Sequence, residues 1–301
     1  MEHAVRHHLQ KGIKEQKRLT GGYTFQTWLL TLSDNQKVVF RAQRDLVTGG
    51  GRKIVISEML TREKYFYDNV NSRIGHICPE VYIVDGTFEH FDMSFCIMEY
   101  IEGTPLDVCF KEFDRQKQDE LLWKIGETAA RINKLEIDGS HPYITDRGSW
   151  EKYVADRLAE RLKPLIDSDV ITQAETDAIT SRMLQAKAVQ TSSFLHLDMR
   201  HANMIYNNGE IFVLDAENCE FGDPLCELAV VDVAGELAPP LTEGYKNISG
   251  SDIKFDDELF YLYKMERQAL VLHLFMNIVK TDVKSTELYL SRFNELKKKL
   301  L

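Results

Sequence analysis

The chain has 301 residues, 44% of them hydrophobic and 28% charged, with a formal net charge of −10. That length supports one large or two modest domains with a sizeable core, and the acidic balance excludes a general nucleic-acid binder, which would carry a basic footprint. No stretch reaches the roughly 18 apolar residues of a membrane span, the opening Met1-Glu2-His3-Ala4-Val5-Arg6-His7-His8 has no signal-peptide core, and the five cysteines, without a C-x-x-C pair, read as reduced thiols, so a cytoplasmic location with no membrane partner is expected.

Residues 1 to about 15 read as a short polar helix. Arg18-Leu19-Thr20-Gly21-Gly22-Tyr23 is a glycine turn between β-prone runs, and 24–32, rich in aromatic and β-branched residues, reads as a strand. Ser33-Asp34-Asn35-Gln36 is a hairpin turn by composition, and 37–42 is the returning strand. A loop with Gly49-Gly50-Gly51 leads to a helix from about 56 to 69 that carries Glu58 and Glu63. Two further strands, 79–84 and 93–100, flank a polar turn. Ile101-Glu102-Gly103-Thr104-Pro105-Leu106 breaks the pattern and sets a boundary between a first domain, 1–102, and a second, 103–301.

Beyond it helical periodicity dominates. Leu121, Leu122, Ile125, Ala129, Ile132 and Leu135 fall on one helix face. A second helical region runs from about 150 to 190, with an interruption expected near Pro164 and Asp167. Residues 194–224 read as loops and short strands, and 256–301 as helix again, with apolar spacing through Leu270, Leu274 and Ile278. A β-rich first third followed by a helical two-thirds predicts the α+β class with two lobes.

The residues that carry chemistry are concentrated in His196-Leu197-Asp198-Met199-Arg200-His201-Ala202-Asn203, an H-x-D-x-x-x-x-N pattern, followed by Asp215 at the end of the apolar run Ile211-Phe212-Val213-Leu214. An attacking alcohol must lose its proton as the new bond forms, and Asp198 is the candidate base. The amide oxygen of Asn203 and the carboxylate of Asp215 are hard donors suited to Mg²⁺ on nucleotide phosphates. A competing reading groups His196, Asp198, His201 and Asp215 as a hydrolytic Zn²⁺ or iron site, but leaves Asn203 without a role.

Three stretches, Phe194-Leu195-His196-Leu197-Asp198, Val213-Leu214-Asp215-Ala216-Glu217 and Phe221-Gly222-Asp223-Pro224-Leu225-Cys226-Glu227-Leu228-Ala229, resemble the aminoglycoside phosphotransferase and choline kinase family. The resemblance is specific in 194–229 and looser in the N-terminal third. It implies a bilobal protein-kinase-like fold, with a small β-rich nucleotide-binding lobe and a larger, mostly helical catalytic and substrate-binding lobe. It also implies transfer of the γ-phosphoryl group of ATP or GTP, with Mg²⁺, to a hydroxyl of a small molecule. No D-F-G or A-P-E segment follows Asp215, which sets the chain apart from protein kinases.

Carried over by position, Asp198 is the base, and Asn203 and Asp215 are the Mg²⁺ ligands. Gly21 and Gly22 let the backbone approach the phosphates. Arg41 stands where a kinase strand presents its phosphate-binding lysine, with Glu63 as its partner and Glu58 as the rival. Met98-Glu99-Tyr100-Ile101 is the hinge whose backbone meets the nucleotide base. His196 packs beneath the loop and Asp223 braces the G-D-P turn, while Glu217 either approaches the metal or faces solvent. Leu197 occupies a position often taken by glycine in the family, and Asn133 one where a leucine-histidine pair is common.

Between Glu236 and Glu258 six acids face two lysines, and such a rim would attract a polycationic aminoglycoside; a solvated polar surface is the alternative. Tyr245, Phe255, Phe260, Tyr261 and Tyr263 are either core residues or a cage for a choline-like cation. The expected acceptor is an aminoglycoside or related aminated sugar. The alternatives are a metabolite kinase for choline, ethanolamine, homoserine or a sugar, and a non-catalytic nucleotide-binding module.

Overall fold

A computed structural model describes residues 1–19, 25–43, 56–137, 149–188, 192–251, 255 and 257–301. The glycine turn at Gly21-Gly22 and the glycine loop at 49–51 lie outside the described residues. In chain order the first elements are α1 (Glu2–Leu9), β1 (Ile13–Leu19), β2 (Phe25–Leu32), β3 (Lys37–Gln43), α2 (Ile56–Arg73), β4 (Val81–Asp85) and β5 (Phe95–Glu99). Then come β6 (Thr104–Pro105), α3 (Leu106–Cys109), α4 (Arg115–Asn133), α5 (Trp150–Ile166), α6 (Gln173–Gln185) and β7 (Ser193–Leu195). The last are β8 (Met204–Asn207), β9 (Glu210–Val213), β10 (Glu220–Gly222), α7 (Pro224–Ala234), α8 (Pro239–Ser249), α9 (Glu258–His273) and α10 (Val283–Leu300).

These elements form two compact units, Met1–Phe113 with His201–Cys219, and Asp114–Arg200 with Glu220–Leu301. The division differs from the expected 1–102 and 103–301. The strand pair β8–β9 is the reason: β6 adds to it, and Val213 N–H donates to Ile77 C=O at 2.7 Å, which draws 201–219 into the first unit.

The first unit holds an antiparallel sheet in the order β1-β2-β3-β5-β4. Alternation along β3 buries Val38, Phe40 and Ala42 and turns Val39, Arg41 and Gln43 to the other face. Phe40 stacks on Phe95 at 4.9 Å between ring centres, within a core that includes Leu30, Leu32, Val38 and Ile97. Each such buried side chain stabilises by roughly 1.5–3 kcal/mol. Ala4 and Val5 of α1 insert into the same cluster.

The polar helix expected over 1–15 is shorter. It ends at Leu9, where Gln10 adopts a left-handed φ of 56°, and a strand follows from Ile13. Lys14, Glu15, Lys17 and Arg18 leave that strand without an alternating apolar pattern, and it lies at the sheet edge, where charge guards against further pairing. Pairing with β2 decides its conformation.

The second unit is mainly helical. Its α5 runs through Pro164 to Ile166, so the expected break at the proline falls only after Ile166. Pro164 lies in the last turn and forfeits a bond only near the terminus. α6 then starts on a capping box, Thr172 with Glu175. Helix α8 has no counterpart among the expected elements; Gly126 of α4 and Gly244 of α8 let the two backbones cross so closely that a Cβ on either would collide with main-chain oxygen. The helix expected over 256–301 is divided by a π-helical turn, Leu274–Val279, and Ile278 is half exposed.

Candidate active site

In the first unit Arg41 is the centre of a charged network. Its Nη1 donates to both oxygens of Glu63, at 2.6 and 2.7 Å, and its Nη2 donates to Asp215 Oδ1 at 2.8 Å. Glu217 Oε2 is 3.8 Å from the same Nη2. The guanidinium also lies 4.3 Å from the Phe25 ring centre, a cation–π contact. Burial opposes the charge on Arg41, but Glu63 and Asp215 outweigh it and hold the pKa well above the usual arginine value. Glu63 is nearly inaccessible, whereas the Asp215 side chain is about a third exposed.

Tyr67, one helical turn after Glu63, completes this network. Its hydroxyl donates to Glu63 Oε1 at 2.7 Å and accepts the Asp215 backbone N–H at 2.7 Å. Asp215 itself has a left-handed φ of 65°, a conformation that costs a non-glycine residue about 1–2 kcal/mol. The Tyr67 bond and the Arg41 ion pair hold it there. Across the β8–β9 pair, Met204 faces Val213, and Leu214 N–H donates to Asn203 C=O at 2.8 Å, so Asn203 and Asp215 leave the same end of the hairpin. Together with Glu217 they offer one amide and two carboxylates, a hard-oxygen set that suits Mg²⁺ and not a softer ion.

The hinge candidates follow from the end of β5. Glu99 N–H donates to Glu80 C=O, and the Glu99 carboxylate bonds His76 Nε2 at 2.6 Å and Glu80 N–H at 3.1 Å. Tyr100 stacks under Lys37 Nζ at 5.5 Å, and Ile101 comes next in the chain.

In the second unit Asp198 is buried and ion-paired. Arg267 of α9 donates to its Oδ1, and Arg200 Nε donates to the same oxygen at 3.0 Å. Burial pushes the Asp198 carboxyl up, yet Arg267, Arg200 and His196 together bring it below the usual aspartate value. The loop that carries it is pinned from α7. Glu227 is buried, and its carboxylate accepts the N–H of His196 at 2.6 Å and of Leu197 at 2.9 Å. His196 is fully buried, and its Nδ1 accepts the Asp198 N–H at 3.1 Å. Asp198 and Asn203 are five residues apart on one loop, which passes from the second unit to the first at Arg200–His201.

The G-D-P turn has a local explanation. Asp223 caps α7 by accepting the Leu225 N–H at 2.9 Å, Pro224 takes the first helical position, and the Tyr263 hydroxyl donates to Asp223 at 3.2 Å. Gly222 is required because a Cβ there would enter the Trp150 ring. Asn133 is also structural: it donates to Phe194 C=O and accepts from the Tyr245 hydroxyl, both at 2.8 Å.

Leu197, in place of the family's frequent glycine, has a φ of 61° and is buried. Leu197→Gly relieves about 1–2 kcal/mol of backbone strain but removes a packed side chain whose loss costs about 2–5 kcal/mol. The variant is expected to be less stable by about 1–3 kcal/mol in urea denaturation; a gain in stability would show that strain dominates.

Sequence reasoning missed Tyr67, Glu227 and Arg267. Tyr67 stands at the i,i+4 spacing from Glu63 on α2, a local signal, but its bond to Asp215 N–H, like the reach of Glu227 and Arg267, comes from tertiary packing. Of the five candidate cage aromatics, Tyr245, Phe260 and Tyr263 are buried in the helical core. In the acidic stretch, Asp257 caps α9 and Glu258 pairs with Arg182 at 2.9 Å.

A family model described as the phosphotransferase enzyme family matches residues 15–246. The protein named "Probable ketoamine kinase YniA" of Escherichia coli O157:H7 is 23% identical over 274 residues, covering 85% of this chain and 87% of that relative. Among solved structures, the GDP and kanamycin complex of APH(2")-IIia aligns with a TM-score of 0.71 at 12% identity, over 98% of this chain and 97% of the other. A thermostable mutant of aminoglycoside phosphotransferase APH(4)-Ia aligns with a TM-score of 0.70 at 14% identity, over 99% of each chain. These structural likenesses establish the fold, α+β and protein-kinase-like, with the antiparallel sheet in the N-terminal part and helices in the C-terminal part.

Proposed function

The chain belongs to the phosphotransferase enzyme family, and from that membership we propose that it moves the γ-phosphoryl group of ATP or GTP to a hydroxyl of an aminated sugar, a ketoamine in preference to an aminoglycoside. The observation that carries the reaction is the Arg41–Glu63–Asp215 network, a partly buried guanidinium placed between a helix carboxylate and a candidate metal ligand. In this reading Arg41 contacts nucleotide phosphates while Glu63 and Tyr67 hold it in position. The Asn203 amide oxygen and the Asp215 carboxylate hold Mg²⁺, with Glu217 beside them. When bound, Mg²⁺ neutralises phosphate charge and keeps the transferring group in line. By their place in the sequence Gly21 and Gly22 are assigned to the phosphates, and the backbone at Glu99, Tyr100 and Ile101 to the nucleotide base.

Asp198 orients the acceptor hydroxyl and takes its proton. Its low pKa suits an orienting base that accepts the proton late, once the bond to phosphorus is largely formed. The surroundings of Asp198 bear on the acceptor. Arg200 and Arg267 both pair with it, two guanidiniums on one carboxylate. That balance disfavours a polycation and suits a sugar whose amine substituent also carries an anionic group. The ketoamine kinase relative supports the same choice.

A nucleotide-consumption screen against fructosyl-lysine, kanamycin, choline, ethanolamine, homoserine and free sugars, with ATP and with GTP, tests the proposal. Fructosyl-lysine is expected to give a kcat/KM at least about tenfold above kanamycin, the equivalent of one lost or mispaired charged contact. A reversed order would return the aminoglycoside as acceptor. Transfer confined to choline, ethanolamine or homoserine would remove the aminated sugar, and binding of Mg²⁺-nucleotide with no transfer to any compound would leave a non-catalytic module.

A further inference from the structure

We propose that His7, His8 and His90 form a binding site for a borderline divalent transition-metal ion of the Zn²⁺ type, separate from the nucleotide machinery. Each residue offers a ring nitrogen, and the three nitrogens lie within 4.8 Å of one another. Tetrahedral Zn²⁺ with Zn–N bonds of 2.0–2.1 Å needs nitrogens about 3.4 Å apart, so small side-chain rotations complete the cluster. His3 stands next to it, its Nε2 3.4 Å from His90 Nδ1, and is within reach as a fourth ligand.

The fold brings these residues together. His3 and His7 share one face of α1, a turn apart, while Ala4 and Val5 are fully buried and anchor the helix on the sheet core. His90 comes from the β4–β5 connection, 87 residues from His3 in the chain. The His7 and His90 rings stack at 3.7 Å between centres, and His8 meets His90 edge-on at 5.4 Å. Stacked surface imidazoles alone would be a bland packing feature. Asp85 is what points to a ligand.

Asp85 is buried, and its Oδ1 accepts from Thr87 N–H and Thr87 Oγ1, both at 2.7 Å. Its Oδ2 is 3.1 Å from His8 Nε2. A His8 that donates Nε2–H to this fixed carboxylate presents Nδ1 as its lone-pair nitrogen. That carboxylate–histidine pairing orients metal-bound imidazoles and raises their basicity. His7 is exposed and His8 and His90 are half-buried, so an ion can enter from solvent. Imidazole donors select zinc, copper, nickel or cobalt over Mg²⁺, which takes oxygen ligands. A bound ion would tie α1 to the β4–β5 connection and stabilise the first unit by mass action.

The test is a competition titration of the full chain, stripped with EDTA, with Zn²⁺ against a chromophoric chelator in millimolar Mg²⁺. One equivalent is expected to bind with a Kd in the micromolar range or tighter. His7→Gln and His90→Gln should each weaken it by more than tenfold, Asp85→Asn by about tenfold, and His273→Gln, in the other unit, not at all. Co²⁺ substitution of the wild type provides a second reading that needs no variant, with intense visible bands expected for tetrahedral nitrogen coordination. Binding that survives both His7→Gln and His90→Gln, a stoichiometry of zero, or the weak Co²⁺ spectrum of an octahedral aquo ion would each overturn the site.

Discussion

Asp198→Asn is expected to lower kcat by about 10³-fold while nucleotide Kd changes by less than about threefold. Asparagine keeps the shape of the side chain and can still orient a hydroxyl, but it cannot accept the proton. The loss therefore falls on the chemical step and not on ground-state binding of nucleotide. Asparagine also leaves Arg267 facing a neutral amide, and a stability cost of about 1–3 kcal/mol follows from weakening a buried charge-assisted bond. Retained nucleotide binding and a cooperative denaturation curve separate that cost from the catalytic one. An unchanged kcat would remove Asp198 from the role of base.

The pH dependence of the same group has a definite sign. The folded Asp198 carboxyl lies below its ordinary value because Arg267, Arg200 and His196 overcome the effect of burial. Its contribution to stability is thus present above the unfolded aspartate pKa of about 3.9 and is lost as pH falls through the lower folded value. With its carboxyl held below the ordinary aspartate value, Asp198 is ionised at neutral pH, so an acid limb in kcat near neutrality is expected to belong to another group.

Arg41→Met is expected to destabilise the protein by about 3–5 kcal/mol, because it leaves the Glu63 carboxylate buried without its cation. It should also weaken nucleotide binding by about 10–100-fold, the value of one or two charge-assisted phosphate contacts. The two effects can be pulled apart. Adding Glu63→Gln removes the orphaned charge and keeps an acceptor for the Tyr67 hydroxyl. The double variant is expected to recover most of the stability in denaturant titration, with nucleotide affinity as weak as in Arg41→Met. Recovery of both would make Arg41 a structural counter-charge and nothing more.

Much of the architecture of the N-terminal sheet is legible in the chain. β2 and β3 follow from their β-branched and aromatic content and from the polar turn between them, and the alternation along 37–43 already separates Arg41 from the buried Phe40. β1 is different. Its interior is mostly charged, and only pairing with β2 makes it a strand. Helix α8 escapes for a related reason: Pro239-Pro240 and the nearby acids read as loop, while the stabilising element is a close crossing with α4 through Gly126 and Gly244.

The order of residue types in His196–Asn203, the Asp215 that ends an apolar run and the G-D-P turn are properties of the sequence by itself, because local chemistry dictates them. Asp223 before Pro224 is a local helix-start signal, and the proposed phosphoryl-transfer role of the loop rests on a carboxylate and an amide a few residues apart. Which charges surround those groups is decided only by the tertiary structure. Arg267 reaches Asp198 from 69 residues away, Glu227 holds the loop from α7, and Tyr67 links Glu63 to the backbone of Asp215 across 148 residues. Burial sets the strength of each of these interactions, and burial is a property of packing that no short stretch of chain contains.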